Sequence, residues 1–464
     1  MKGEIKDVLA SGQLARLIPT VADSKKEERA TSSFLASLMV VPEFTRQVLG
    51  SVGAPTGKKI DTICYTEVCF KTADKTKNCR PDGLIVVTSH GRKWSALIES
   101  KVGNAELQKA QVEEYLDLAK LHGINAVITI SNQFAIAPSH HPIKATKQKL
   151  KSVELFHFSW LALKSIAVII TENKKIEDPE QAYILSEIVR YLDHDSSGVT
   201  ALTKMSNEWK DVCTSVQEQA VLSRTSSSVE QSVISWHQLV RHLALELSMK
   251  IGQPVTLSLS KSRLQDSEIN FGEDCSQLVS KNSLEVDFDV PNAAAKIHFH
   301  ADFLRRTINF SMKMEAPKDK TRATASINWL TRQLRDKEEL SNITIRAYWP
   351  KRTPMTSAPL LSVLESPDLL LPVGMSDLPT HIEIARVVDL AAKFKGVRTF
   401  VEECSKHFPQ FYHDAGQHLS KWVAKAPQVK EKSVEQIMVP AFLSGVEDIV
   451  ESKESEKYES ADLQ

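Results

Sequence analysis

Hydrophobic and polar residues recur along the chain with periods that predict a helix, three strands, a second helix and a fourth strand. Between Phe34 and Phe44 the apolar residues follow helical spacing, and glycines stand where helices end. The segments DTICYTEVCFKT, LIVV and WSALIESK predict strands, and the loop TSHGRK joins the last two as a hairpin. A helix is predicted from Asn104, its N-cap, to Gly123, and the apolar run INAVITISN predicts a buried strand.

The remaining chain changes its pattern at about residue 223. Before this point VELFHFSWLALKSIAVII predicts a strand that continues into a helix, and DPEQAYILSEIVRYL predicts a surface helix with proline in its first turn. After a stretch rich in serine and threonine, a helix from about Trp236, four strand patterns, a second helix and a further strand follow. Residues 377–423 predict mostly helices, and the charged segment 451–464 predicts a disordered tail.

These patterns predict an α/β fold with more than one domain, as expected for 464 residues. Residues 1–222 are assigned to a first domain with an α-β-β-β-α-β core and a helical extension. Residues 223–376 are assigned to an α+β domain with an antiparallel sheet and no assigned role. Residues 377–464 are assigned to a helical C-terminal region that ends in the tail.

Composition narrows the classes of function. Lys and Arg number 58 and Asp and Glu number 58, so nucleic-acid binding would depend on a local patch, of which Lys144–Lys151 is the best example. A solvated helix face explains that patch equally well. No apolar run is long enough to cross a bilayer and the N-terminal segment lacks a secretory core, so we expect a cytoplasmic protein without membrane contact. The six cysteines include no C-x-x-C pair.

Three charged residues interrupt the predicted hairpin of RPDGLIVVTSHGRKWSALIESK. If its turn is centred on His90 and Gly91, Asp82 lies across from Glu99, with Cβ atoms ~5 Å apart on one face. Lys101 shares that face because it is two residues from Glu99. Two adjacent carboxylates repel each other unless a cation neutralises them, and their oxygens suit Mg²⁺ or Mn²⁺. We therefore predict a metal site at Asp82 and Glu99 with Lys101 beside it, although a turn and a solvated strand end would explain each residue singly.

Pro81–Asp82 and Glu99–Lys101 resemble the motif of the PD-(D/E)XK nuclease superfamily. The resemblance covers residues 25–131 and implies a restriction-endonuclease-like first domain, with metal bound by Asp82 and Glu99 and Lys101 active in catalysis. The longer segments RPDGLIVV, LIESKVGNAELQKAQVEEYLDLAK and AVITISNQF are similar to a bacterial group of PD-(D/E)XK proteins labelled as stress response proteins. This likeness implies a role in stress response or bacterial defence.

The resemblance also implies further site residues. Gln111 and Tyr115 share a helix face and resemble the Q-x-x-x-Y element of the RecB-like branch, which helps to hold the substrate strand. The alternative is a half-buried Tyr115 and a surface Gln111. The superfamily often supplies an acid from its first helix, for which Glu28 is chosen, with Glu27 and Glu67 left open.

The predicted function is hydrolysis of phosphodiester bonds by a Mg²⁺- or Mn²⁺-dependent nuclease, with DNA favoured over RNA as the partner. The main alternative is a catalytically weak protein of the same fold that binds nucleic acid or has a regulatory role. Hydrolysis of a small phosphoester also stays open. Binding of a second copy of the chain, or of a protein partner, by the C-terminal region is left open.

Overall fold

Two β-sheets organise the chain, a six-stranded sheet near the N-terminus and a seven-stranded sheet after it. The structure, a computed structural model, describes residues 9–423 except 20, 23, 58, 72–78, 336–339 and 375–376. The predicted mixed α/β fold is confirmed at this level, and the second sheet is antiparallel as expected. The predicted tail, 451–464, lies outside the described residues.

The first sheet keeps its strands in chain order, antiparallel over the first four and parallel over the last three. Its strands are β1 (Leu9–Leu14), β2 (Asp61–Phe70), β3 (Gly83–Ser89), β4 (Arg92–Ser100), β5 (Ala126–Ser131) and β6 (Glu154–Ser159). Its helices are α1 (Lys26–Val40), α2 (Pro42–Gly50), α3 (Lys109–His122), α4 (Trp160–Glu172) and α5 (Pro179–Asp193). The predicted order of helix, three strands, helix and strand is present from α1 to β5, with α2 as an additional helix.

The two faces of the first sheet pack against different helices. Ala96 and Ile98 of β4 join the hydrophobic core that also contains residues of α1, α2, α4 and α5. Leu97 lies between them in sequence, points to the other face and joins the core under α3. Because side chains alternate along a strand, Glu99 shares the face of Leu97 and lies on the α3 side.

Helix α3 begins later than the sequence predicts. Gln108, the residue before it, is extended (φ −105°, ψ 128°), and the amide of Ala105 donates to the carbonyl of Val102, so this stretch forms a turn. Asn104 is therefore not the N-cap. The predicted end is confirmed, because Gly123 adopts a left-handed conformation (φ 67°) that closes the helix.

The second sheet has the strand order β12-β11-β13-β10-β9-β8-β7. Its strands are β7 (Thr256–Leu257), β8 (Ser283–Asp289), β9 (Ile297–Asp302), β10 (Thr307–Glu315), β11 (Thr344–Tyr348), β12 (Thr356–Pro359) and β13 (His381–Asp389). The helices of this part are α6 (Glu208–Gln217), α7 (Ser227–Ile251), α8 (Lys261–Gln265), α9 (Ser267–Lys281), α10 (Ala323–Thr331), α11 (Leu360–Glu365), α12 (Ala392–Lys395) and α13 (Val397–Asp414). Within the described ranges, no helix combines the length and hydropathy needed to cross a bilayer.

Strand β13 is an exception to the mostly helical pattern that the sequence predicts for residues 377–423. It pairs with β10 on one side and β11 on the other, so it lies inside the second sheet. Ile382 and Ile384 are fully buried because they face the core of that sheet. Only the part of this region after β13 is helical.

Helix α6, which the sequence analysis assigned to the first domain, packs in the core of the second sheet. Its Trp209 ring lies 4.7 Å from the Phe303 ring and 4.6 Å from the Phe400 ring, measured between centroids. The indole nitrogen of Trp209 donates to the carbonyl of Phe394 at 2.9 Å. This large buried aromatic ties α6 to the end of β9 and to α12 and α13.

Candidate active site at the β3–β4 hairpin

The hairpin has the register that the sequence predicts. Gly83 pairs with Ile98 and Ser89 pairs with Arg92, so the turn is centred on His90 and Gly91. Asp82 directly precedes Gly83 and continues the register toward Glu99. Gly83 lies close to α1, because a Cβ at this position would be 2.6 Å from a terminal methyl group of Leu35, whose side chain would have to shift.

Asp82 is held by the strand that carries Glu99. The backbone amide of Ser100 donates to Oδ2 of Asp82 at 2.8 Å, and the Ser100 hydroxyl lies 2.5 Å from the Thr31 hydroxyl on α1. Burial raises the pKa of Asp82 and the charge of Glu99 raises it further, while the Ser100 amide and Lys101 oppose the shift. The metal-free protein therefore penalises the ionised form of Asp82.

Glu99 is the most buried carboxylate of this site, with 1% of its surface exposed. Its Oε1 accepts from Nζ of Lys101 at 2.5 Å. Its Oε2 is buried without a hydrogen bond of standard geometry among the described residues, and the nearby Tyr115 hydroxyl helps to lower the pKa of Glu99. Burial raises the pKa of Glu99, and the hydrogen bond and charge of Lys101 counteract this shift. An unsatisfied, buried carboxylate oxygen beside the half-buried Asp82 carboxylate is costly without a cation.

Lys101 links the hairpin to α1. Its Nζ donates to Oε1 of Glu27 at 3.1 Å and to the carbonyl of Ser100 at 3.0 Å, in addition to Glu99. Burial would lower the pKa of Lys101, but the hydrogen bond and charge of Glu99, with smaller contributions from Asp82 and Glu27, raise it on balance. The ammonium stays charged and partly neutralises the carboxylates.

Glu27, and not Glu28, is the acidic residue that α1 brings to the site. Glu28 forms an ion pair with Lys25 at 2.7 Å. Glu27 lies one helical turn before Thr31, which contacts the hairpin through Ser100. The spacing of apolar residues along α1 could not show which of the two glutamates faces the hairpin, because a buried apolar residue lies seven positions after each of them.

Glu67, which the sequence analysis had left open, does not join the carboxylates of the hairpin. It adopts a positive φ of 54° at an irregular position of β2. Its Oε2 pairs with the Arg80 guanidinium at 2.7 Å. This ion pair holds the segment that leads to Asp82.

Gln111 and Tyr115 form the predicted pair on α3. Nε2 of Gln111 donates to the Tyr115 hydroxyl at 3.1 Å, and this hydroxyl donates to the carbonyl of Arg80 at 3.2 Å. Tyr115 is buried, and both burial and the charge of Glu99 raise its pKa. The pair therefore positions the start of β3 beside the carboxylates. Contact with a substrate strand stays a prediction.

The fit of this site to a divalent ion depends on two carboxylates. Among the described residues, no group of three or more His, Cys, Asp or Glu side chains is placed to hold a metal ion. Asp82 and Glu99 nevertheless present hard oxygen ligands at one point, including the buried Oε2 of Glu99. Mg²⁺ commonly takes one or two protein carboxylates and completes its shell with water and substrate oxygens. The donor set fits such an ion and does not fit an all-protein metal cage.

A histidine network stabilises the strand next to Glu99. Thr129 of β5 is the register partner of Glu99, and its hydroxyl lies 2.7 Å from Nε2 of His141 and 2.8 Å from Nδ1 of His157. The Ile143 amide donates to Nδ1 of His141, so the neutral His141 donates to Thr129. Thr129 then donates to His157. Burial lowers the pKa of His141 to about 3 and of His157 to about 4, so both rings are neutral.

Replacing Thr129 with valine is expected to lower the free energy of unfolding by ~2–4 kcal/mol, because it leaves two buried imidazole nitrogens without a partner. Thr62→Val is the matched control on β2. Its hydroxyl is buried and has no hydrogen-bond partner among the described residues, so its loss should be neutral or stabilising. Urea unfolding of both variants measures the difference. Equal changes in the two variants would show that the histidine network contributes nothing to the free energy of unfolding.

The predicted basic patch pairs with acids of the chain itself. Lys149 binds Asp117 at 2.7 Å, and Lys144 and Lys147 lie 3.8 and 4.0 Å from Glu268. Lys144 also lies over the Phe271 ring. Exposed pairs of this kind are weak, so phosphates can compete for these lysines.

Comparison with known proteins gives no family assignment: no family model, curated protein or solved structure matches the chain. The resemblance to PD-(D/E)XK nucleases therefore depends on the motif residues and on the elements that carry them.

Proposed function

We propose that the chain is a Mg²⁺- or Mn²⁺-dependent nuclease of the PD-(D/E)XK type that hydrolyses phosphodiester bonds, with DNA as the favoured substrate. The observation that supports this most is the pair of half-buried Asp82, just before β3, and buried Glu99 on β4, with the Lys101 ammonium 2.5 Å from Glu99. A structural ion pair needs one carboxylate for one ammonium. A second, half-buried carboxylate with a raised pKa, and a buried oxygen of Glu99 without a standard hydrogen bond, support a site that binds another cation.

Each residue has a role in this proposal. Asp82 and Glu99 hold the ion, which when bound lowers the pKa of water and offsets charge on the phosphoryl oxygen. Lys101 orients the attacking water and stabilises negative charge near the scissile phosphate. Glu27 restrains Lys101 from α1. Gln111 and Tyr115 fix the start of β3 through the Arg80 carbonyl.

The alternative is a protein that binds nucleic acid or regulates without efficient cleavage. The zero net charge and the self-paired lysines of the 144–151 segment provide no strong field for DNA, so within this alternative they favour a regulatory role over nucleic-acid binding. Incubation of the purified protein with linear and circular DNA and RNA, with Mg²⁺, Mn²⁺ or EDTA, separates the two. The proposal predicts metal-dependent cleavage that EDTA stops. Binding without cleavage in every metal would support the alternative.

Glu27→Gln is expected to lower the cleavage rate by roughly 10–100-fold, because it removes a charged partner that orients Lys101. Glu28→Gln, one residue away, should change the rate by less than about twofold, since its exposed pair with Lys25 contributes little. Both rates are measured under single-turnover conditions with saturating metal. A larger loss in Glu28→Gln would restore the sequence-based choice and contradict this geometry.

A further inference from the structure

Trp160 connects the backbone of Lys101 to the far edge of the first sheet. It is the first residue of α4 and directly follows β6. Its indole nitrogen donates to the carbonyl of Lys101, just after β4, at 2.9 Å. Because β5 lies between β4 and β6, this hydrogen bond spans two strand spacings, roughly 10 Å between backbones. A long side chain is needed to bridge that distance, and tryptophan also brings the donor.

The backbone of Lys101 is held on both sides of its Cα atom. Its amide donates to the carbonyl of Ile130 on β5 at 2.8 Å, and its carbonyl accepts from Trp160. Trp160 itself is fully buried. Both peptide groups that flank the Cα atom are therefore restrained, and they determine the direction in which the Lys101 side chain leaves the backbone.

Trp160 also contacts the helix that carries Glu27. Its ring meets the Phe34 ring of α1 edge-on, with centroids 6.0 Å apart. Phe34 lies two helical turns after Glu27, so the two side chains share one face of α1. Nζ of Lys101 pairs with Glu99 at 2.5 Å and with Glu27 at 3.1 Å. Trp160 thus touches both the backbone of Lys101 and the helix that restrains its ammonium.

We infer that Trp160 is a positioning residue, which holds the Lys101 ammonium against Glu99 through the carbonyl of Lys101. The groups of an active site need to be held within ~0.5 Å of their working positions by the residues behind them. Loss of the indole donor frees the peptide group after Lys101, so its Nζ should contact Glu99 less closely. The effect on cleavage rests on the proposed function, whereas the effect on the ion pair does not.

Trp160→Phe removes the donor and keeps an aromatic ring against Phe34. Trp209→Phe is the matched control, because Trp209 is also fully buried and its indole nitrogen also donates to a backbone carbonyl, that of Phe394, at 2.9 Å. Both variants lose one hydrogen bond and part of a buried ring, so they should lose similar stability. If Trp160→Phe does not fold, benzothienylalanine at both positions keeps the bicyclic shape and replaces the N–H group with sulfur.

The coupling free energy between Lys101 and Glu99 is a quantity that a merely structural role of Trp160 would not change. It is obtained from urea unfolding in EDTA of Lys101→Met, Glu99→Gln and their double variant, each with Trp160, with Trp160→Phe and with Trp209→Phe. We expect the coupling to fall by at least about half with Trp160→Phe and to stay unchanged with Trp209→Phe. Unchanged coupling with Trp160→Phe, or an equal fall with both, overturns the inference.

Cleavage measurements separate the role of Trp160 from the proposed function. The single-turnover rate at saturating Mn²⁺ should fall roughly tenfold in Trp160→Phe and less than about twofold in Trp209→Phe. A Trp160→Phe protein that cleaves at the wild-type rate would also overturn the inference. If the wild-type chain does not cleave, the proposed function fails, and the coupling between Lys101 and Glu99 still decides the role of Trp160.

Discussion

Replacing Lys101 with methionine is expected to reduce metal-dependent cleavage by ~10²–10⁴-fold, the range of a positioned proton-transfer or charge-stabilising group. Methionine keeps the length of the aliphatic chain and removes the ammonium that lies 2.5 Å from Glu99 and 3.1 Å from Glu27. Cleavage is measured as a single-turnover rate with Mg²⁺ and with Mn²⁺.

The same variant should also change stability in a way that depends on the metal. Without the ammonium, Glu99 is left as a buried charge with no partner, which costs ~3 kcal/mol when one member of a buried pair is removed. Saturating Mn²⁺ should restore most of this loss, because the ion takes over neutralisation of the carboxylates.

Lys109→Met is the matched control for Lys101→Met. Its ammonium is exposed and lies 3.9 Å from Glu113 on the same helix, so neither rate nor stability should change much. A folded Lys101→Met protein that cleaves at the wild-type rate would exclude Lys101 from catalysis.

Asp82→Asn is expected to abolish metal-dependent cleavage and to stabilise the metal-free protein, on the order of 1–3 kcal/mol. The gain arises because burial and Glu99 raise the pKa of Asp82, so its ionised form is unfavourable in the folded state. The asparagine carbonyl can still accept from the Ser100 amide, which keeps the local hydrogen bond.

The pH dependence of this gain has a definite sign. Above the raised pKa, Asp82 is ionised in both folded and unfolded chains and the penalty is complete. As pH falls toward ~3.9, the ordinary value for aspartate, Asp82 is protonated in both states and the penalty disappears. Urea unfolding in EDTA across this range should show the stabilisation shrinking on acidification. Asp289→Asn, exposed at the end of β8, is the control, and a loss of stability in Asp82→Asn at alkaline pH would contradict the account.

The position of the carboxylates could be predicted because a hairpin has few degrees of freedom. Once the turn at His90 and Gly91 is located, the strand period of two places Asp82 opposite Glu99. The predicted pair of Gln111 and Tyr115 is also present for a simple reason, since residues four apart share a helix face. These relations involve residues that are close together in the chain, so they can be inferred from a single sequence.

The predictions that the structure corrects concern contacts between residues far apart in sequence, or the direction in which neighbouring residues of one helix point. Strand β13 forms because it pairs with β10 and β11, which lie far from it in sequence, and only a short His-Ile-Glu-Ile alternation in the chain indicates a strand. Glu27 and Glu28 are neighbours in sequence, and only the contact of α1 with the hairpin shows that Glu27 reaches Lys101.

Anomalous diffraction from crystals of the protein grown with Mn²⁺ tests the central claim most directly. The account predicts an anomalous peak in contact with carboxylate oxygens of both Asp82 and Glu99, with Lys101 beside it, and no peak there in the double variant Asp82→Asn with Glu99→Gln. A well-ordered hairpin with no peak between these two carboxylates at saturating Mn²⁺ would contradict it.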